Sequence, residues 1–324
     1  MKSLSALGLL SLLFLLGSAT APGAATPSYV YHWPVAPFDR QHPIRGAFGD
    51  PRTIARDQPF GVTGPTRSGA YSFHSGIDIV AKPGTPVYPV VSGEVLKARP
   101  HKIVVQSSNA RVFSYWHLRS NVHVGQTVVA EQTVLGWIHK PLDHVHLAEI
   151  DNGRYQNPLA RGHLAPYRDH TIPRVVALDV SAGGSPRLTQ GGLLKKGAKL
   201  AIRAVDAPAM PVPGPFAGLP QTPARVEWRL SNGPGWGGWN VAVDSRRTLP
   251  MPRSGFWEIY ATGTYQNSPT FARRLFEGVA GRYLFRISLD PKLLPPGRYE
   301  LEARASDIRG NSSTRTWHLR IASA

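Results

Sequence analysis

The sequence predicts an all-β chain built in two successive parts. Short alternating or β-branched runs recur along both halves, and turn-forming clusters separate them. Beyond the first 25 residues, no stretch carries a convincing 3.6-residue apolar period. At roughly 150 residues per domain, a length of 324 residues is that of two domains, each able to bury its own core. We expect a leader over residues 1–25, a first domain over 26–170 and a second over 171–324.

The leader is expected from Lys2, the apolar run Leu4 to Leu16 and the small residues through Ala25. A short basic start, an apolar stretch of about 7–15 residues and an alanine-rich exit is the pattern of a cleaved secretory signal. The run is short of the roughly 20 residues that span a bilayer, so a retained anchor is the lesser alternative. Cleavage after Ala19 or Ala25 would leave no stable membrane insertion. The chain is then expected in a periplasm, an extracellular space or a cell wall.

In the first domain, strands are expected at Thr85–Val91, Glu94–Ala98, Ile103–Ser107, Val112–Leu118, Gln126–Ala130, Val134–Ile138 and His144–Ile150. Turns fall at Lys82-Pro83-Gly84, Ser92-Gly93 and Asp151-Asn152-Gly153. In the second, strands are expected at Arg174–Val180, Lys199–Val205, Arg225–Leu230, Trp257–Ala261, Tyr283–Leu289, Tyr299–Ala305 and Thr314–Ile321. Six prolines between Pro208 and Pro223 mark a loop. The run from Leu294 to Asn311 resembles the late hairpin of an immunoglobulin-like β-sandwich, which is the fold expected for this part. Trp228, Trp236, Trp239 and Trp257 there are read first as sandwich core, with sugar stacking as the alternative.

Composition narrows the chemistry. The chain has no cysteine, which excludes disulfides, a thiolate metal site and a cysteine nucleophile. Any transition metal must be held by histidine and carboxylate. The net charge is +17, with 16 basic and 10 acidic residues up to position 170 and 21 and 10 after it. Such an excess implies an anionic partner, and export makes nucleic acid an improbable one. An anionic polymer of the cell envelope remains. Ten of the twelve histidines lie between His32 and His163, so chemistry is expected in the first half and attraction to the polymer in the second.

Three segments carry the candidate site: Phe73-His74-Ser75-Gly76-Ile77-Asp78, Tyr115-Trp116-His117-Leu118 and Asp143-His144-Val145-His146. Taken singly, each pattern is weak. A second His-x-x-x-Asp at His139 and Asp143 contains Pro141 and reads as loop, though Asp143 could orient a neighbouring histidine. In a strand, His144 and His146 project to one face with Val145 on the other, and Phe113, Tyr115 and His117 share a face by the same rule. Two histidines and an aspartate suit zinc, leaving a fourth position for water whose pKa falls toward about 7. Spacing alone leaves open which histidines bind metal and which move protons.

These segments, in this order, resemble the lysostaphin-type (LytM-like) zinc metallopeptidases, which cut peptide cross-links in bacterial peptidoglycan. The resemblance runs from about Trp33 to Pro158. It also takes in Phe48-Gly49-Asp50-Pro51-Arg52, Gly84-Thr85-Pro86-Val87, Val124-Gly125-Gln126, Leu135-Gly136 and Asn157-Pro158. It implies a β-rich lysostaphin-type (duplicated hybrid motif) catalytic domain. By resemblance, His74, Asp78 and His146 are the zinc ligands, and His117 and His144 are the paired catalytic histidines. The chain departs from the family where a glutamate commonly stands two residues after the second histidine. Here that position is Ala148, with Glu149 one step later.

The expected function is an exported zinc metalloendopeptidase hydrolysing peptidoglycan cross-links. The alternative is a non-catalytic cell-envelope regulator or wall-binding protein on the same fold. A degenerate member should have lost ligands, whereas this chain keeps all three and both catalytic histidines.

Overall fold

The structure is a computed structural model. It describes residues 30–53, 62–63, 70–181, 192–194, 197–233, 235–250, 255–269 and 279–321, so the leader expected over residues 1–25 lies outside the described residues. Strands dominate the described chain, with one short α-helix and brief 3-10 turns, and the chain is all-β as its alternating runs predict. Among the described residues, no helix is long and apolar enough to cross a membrane.

The largest sheet of the first half has the strand order Ile44–Gly46, Ile77–Val80, His144–Asp151, Val112–Trp116, Lys102–Ser107, Gly93–Arg99 and Thr127–Val128. Arg154–Gln156 adds a further strand against His144–Asp151. All these pairings are antiparallel. The period of two gives the central strands two unlike faces. Ile77, Ile79, Phe113, Tyr115, Val145 and Leu147 are fully buried in the core. Each such side chain contributes about 1.5–3 kcal/mol of burial, which pins the register. Asp78, Trp116, His144 and His146 are left on the other face. A smaller sheet of Leu118–Ser120, Gly136–Ile138 and Pro86–Val87 buries Val87, Leu118 and Ile138 in the same core.

Beyond residue 171, Arg174–Ser181, Lys199–Val205 and Leu284–Ile287 form a three-stranded sheet. Leu193–Leu194, Ser312–Ile321, Gly297–Ser306, Arg225–Ser231 and Asn240–Asp244 form a five-stranded one. Arg174–Ser181 packs against Gly297–Ser306 and Ser312–Ile321, so the two sheets share a core. The run Leu294–Asn311 supplies the first strand and the turn of a hairpin, in which Gly297–Ser306 and Ser312–Ile321 pair from Gly297 opposite Ile321 to Ser306 opposite Ser312.

One expected strand is wrong. Phe256–Ile259 is a turn of α-helix where a strand over Trp257–Ala261 was expected. Phe256 is fully buried against Tyr71, Phe73 and Tyr260, and Trp257 stacks edge-on to Tyr71. Aromatic side chains raised the apparent β-propensity, but here they follow a three- and four-residue spacing that packs onto the first half.

That packing is extensive. Gln221 Nε2 donates to the Ile44 carbonyl at 2.6 Å, and Thr222 Oγ1 donates to Asp50 Oδ1 at 2.6 Å. Tyr260 donates to the Gly49 carbonyl at 2.9 Å, and Asn157 Nδ2 to the Ser245 carbonyl at 2.9 Å. Arg309 caps the carbonyls of Leu159 and Tyr167. Nearby, Asp169, Asp206 and Asp307 form a buried carboxylate group.

Candidate metal centre and catalytic cleft

Cross-strand register builds the centre. His146 lies opposite Asp78 on the neighbouring strand, so both side chains stand on the sheet's outer face. His74 precedes that strand and is tied to the first segment of the chain: its amide donates to the Asp50 carbonyl at 2.7 Å, and its carbonyl accepts from the Gly49 amide at 2.9 Å. Gly76 has a steric reason to be glycine, because a Cβ there would run into the Leu147 carbonyl oxygen and the His146 ring.

Three polar atoms converge. His74 Nε2 lies 3.0 Å from Asp78 Oδ1 and 2.8 Å from His146 Nδ1, and His146 Nδ1 lies 3.1 Å from Asp78 Oδ1. The donor set fits a divalent zinc ion on its own chemistry. His74 Nδ1 donates to the Ala47 carbonyl at 2.8 Å, which leaves Nε2 with its lone pair toward the centre. Burial, reinforced by Arg52, lowers the His74 pKa to about 3, and burial also lowers His146, so both rings are neutral as metal ligation requires. Burial alone would raise Asp78. His74, His144 and Arg52 outweigh it and keep the carboxylate ionised. Arg52 donates to Asp78 Oδ2 at 2.9 Å and leaves Oδ1 facing the histidines.

Beside this group stand His117 and His144, with ring centroids 4.5 Å apart. His144 Nε2 is 3.8 Å from Asp78 Oδ1. Arg45 bridges two partners, donating to Asp143 Oδ1 at 2.9 Å and approaching His144 Nε2 at 3.3 Å. A guanidinium can only donate, so the His144 proton belongs on Nδ1, which lies 3.4 Å from Asp143 Oδ1. Asp143 thus flanks His144 without a hydrogen bond to it, its own hydrogen bond being the one from Arg45.

His117 departs from the strand alternation expected of it. The strand ends at Trp116 and His117 has φ of 73°, a left-handed conformation that turns its ring from the Phe113–Tyr115 face into the cleft. Such backbone costs about 1–3 kcal/mol and is held here by hydrogen bonds to the His101 carbonyl and from the His139 amide. Burial and the neighbouring His144 lower the His117 pKa to about 3, and among the described residues its ring makes no hydrogen bond.

Glu149 is not in the site. It lies on the core face, fully buried, and accepts from Tyr31 at 2.6 Å, from His163 at 2.7 Å and from Arg111 at 2.7 Å. One residue of offset puts it on the wrong side of the sheet.

Arg45 and Arg52 had no role in the sequence reading. Arg52 stood in the Phe48–Arg52 motif and Arg45 lay three residues before it, but a surface cation and a site cation look alike in a sequence. One cavity holds all of these groups. It is lined by Arg45, Asp50, Arg52, His74, Asp78, Trp116, His117, His144 and His146, and also by Phe216, Gln266 and Asn267 from beyond residue 171.

Residues 72–158 match Peptidase family M23. All five predicted site residues fall within that segment. No curated protein matches the chain. Among solved structures, the catalytic domain of the antimicrobial peptidase lysostaphin from Staphylococcus simulans is similar at 24% identity, covering 34% of this chain and 90% of that one, with a TM-score of 0.25. The catalytic domain of a prophage-encoded M23 protein from Enterococcus faecalis is similar at 22% identity over 34% and 88%, with a TM-score of 0.24. A zinc-containing peptidase from Vibrio cholerae is similar at 23% identity over 36% and 38%, with a TM-score of 0.25.

Proposed function

We propose that the protein is an exported zinc metalloendopeptidase that hydrolyses peptide cross-links of bacterial peptidoglycan. The observation that carries this reading is the convergence of His74 Nε2, Asp78 Oδ1 and His146 Nδ1 beside the His117–His144 pair. The M23 match over the same residues supports it. Export is supported by the basic, apolar and small-residue order of the first 25 positions.

Zinc held by His74, Asp78 and His146 would supply a water of lowered pKa and polarise the scissile carbonyl. The chain's own residues do the rest. His117, neutral and with a free ring nitrogen in the cleft, would serve there as the proton acceptor. His144, together with the Arg45 guanidinium beside it, would face the negative charge that develops on the carbonyl oxygen. Trp116, 37% exposed and edge-on to His146, offers a flat apolar wall to the substrate.

The reading is tested by digesting purified peptidoglycan with mature protein and separating the released muropeptides, with bound zinc quantified on the same sample. New muropeptides whose appearance stops on chelation are expected. Absence of both zinc and new products overturns the reading.

A further inference from the structure

The cleft is not made by the M23 segment alone. Phe216 lies in the six-proline loop between Pro208 and Pro223, on a 3-10 turn Gly214–Phe216 that buries none of its residues. Its ring nevertheless has a partner, because the Arg45 guanidinium lies over it at 4.2 Å. Arg45 in turn holds Asp143 and approaches His144, so a residue from beyond 171 is one contact from the catalytic pair.

The loop is anchored rather than draped. Gln221 and Thr222 fix its end to Ile44 and Asp50, and Asn267 Nδ2 and the Tyr283 hydroxyl both donate to the Pro220 carbonyl, at 2.6 and 3.0 Å. The adjoining wall is equally fixed. Gln266 Oε1 accepts from the Thr53 amide at 2.8 Å, and the Gln266 amide donates to Thr53 Oγ1 at 3.2 Å. With its carbonyl end held, the Gln266 NH2 group makes no hydrogen bond among the described residues, although the side chain lines the cavity. A donor held by its own acceptor and facing a cleft is built to meet an incoming carbonyl.

We propose that residues beyond 171 form a substrate subsite of this cleft, in which Gln266 Nε2 donates to a backbone carbonyl of the extended peptide and the Phe216 ring packs along that peptide while backing Arg45. This rests on the peptidase reading and adds to it a wall for the chain flanking the scissile bond, opposite Trp116 in role. The ligand class is an extended peptide, since a single amide donor, an aromatic face and two guanidiniums on the floor suit a backbone carbonyl and a nearby carboxylate.

The test compares wild type, Gln266→Glu and Phe216→Ala, all full-length and zinc-loaded, on a purified cross-linked muropeptide dimer. Gln266→Glu keeps the acceptor for Thr53 and removes the donor. Both binding of the dimer, by isothermal titration, and its cleavage are measured, with thermal melts as the check on folding. We expect each variant to melt like the wild type and to bind the dimer roughly tenfold more weakly, with KM raised more than kcat is lowered. Wild-type affinity in both variants overturns this inference while leaving the peptidase reading intact. Binding without cleavage by the wild type, weakened in the variants, overturns the peptidase reading and supports the subsite. No binding by the wild type overturns the subsite.

Discussion

In the segment that matches Peptidase family M23, His74 Nε2, Asp78 Oδ1 and His146 Nδ1 turn toward a common point, with His117 and His144 beside them. On the five-stranded sheet beyond residue 171, Arg229 is matched to Glu302 at 2.5 Å and Arg304 to Glu227 at 2.8 Å, each across a strand pair. The same guanidiniums lie over Trp236 and Trp239 at 4.3 to 4.8 Å. The first arrangement leaves polar capacity unspent and aims it at a ligand. The second consumes its capacity internally, so the basic excess there is partly neutralised where it sits. A charge count alone separates hydrolysis from attraction by half of the chain, yet Phe216, Gln266 and Asn267 put the second half inside the cleft of the first.

The contrast is sharpened most by His117→Ala. It should lower kcat by about 10²- to 10⁴-fold while bound zinc is unchanged, measured by steady-state hydrolysis beside metal analysis. Loss of zinc together with activity would make His117 a ligand and not a proton acceptor. Gly76→Ala comes next, because its Cβ meets the Leu147 carbonyl and the backbone there has a paired strand behind it. We expect about 3 kcal/mol of lost stability by urea denaturation; a wild-type midpoint would mean the strands yield easily.

A smaller effect belongs to the carboxylates where the two halves meet. Burial, with Asp169 adding to it, raises the Asp206 pKa to about 8. The folded chain therefore holds a proton that the unfolded chain releases near pH 4, and this contribution to stability is lost progressively between about pH 4 and 8. Asp206→Asn should flatten the fall in unfolding free energy between about pH 4 and 8. An equally steep fall in the variant would place the titration elsewhere. Least of all, Arg229→Ala should change stability by under about 1 kcal/mol, since its pair with Glu302 is partly solvated. A larger loss in a thermal melt would show that the Arg–Trp stack is structural.

Much of the site was legible because catalysis needs particular residue types at spacings the strand period fixes. His144 and His146 share a face for the simplest reason available, a period of two, and the register of Asp78 opposite His146 follows from buried Ile77, Ile79, Val145 and Leu147. His117 was found as a residue and misread as strand, because its left-handed φ depends on His101 and His139, which are distant in sequence or patterned as loop. Arg45, Arg52, Phe216 and Gln266 were out of reach for a different reason. Their roles depend on long-range packing, and a proline-rich loop gives no periodicity from which its neighbour across the cleft could be read. The helix at Phe256–Ile259 was lost to the same ambiguity, aromatic residues being at home in a strand and in a buried helical turn.

Zinc stoichiometry, measured by elemental analysis on wild-type protein and on His146→Ala after identical loading and dialysis, tests the central claim most directly. We predict close to one zinc per wild-type chain and almost none in the variant. Equal zinc in the two proteins, or none in either, would contradict a metal centre built from His74, Asp78 and His146.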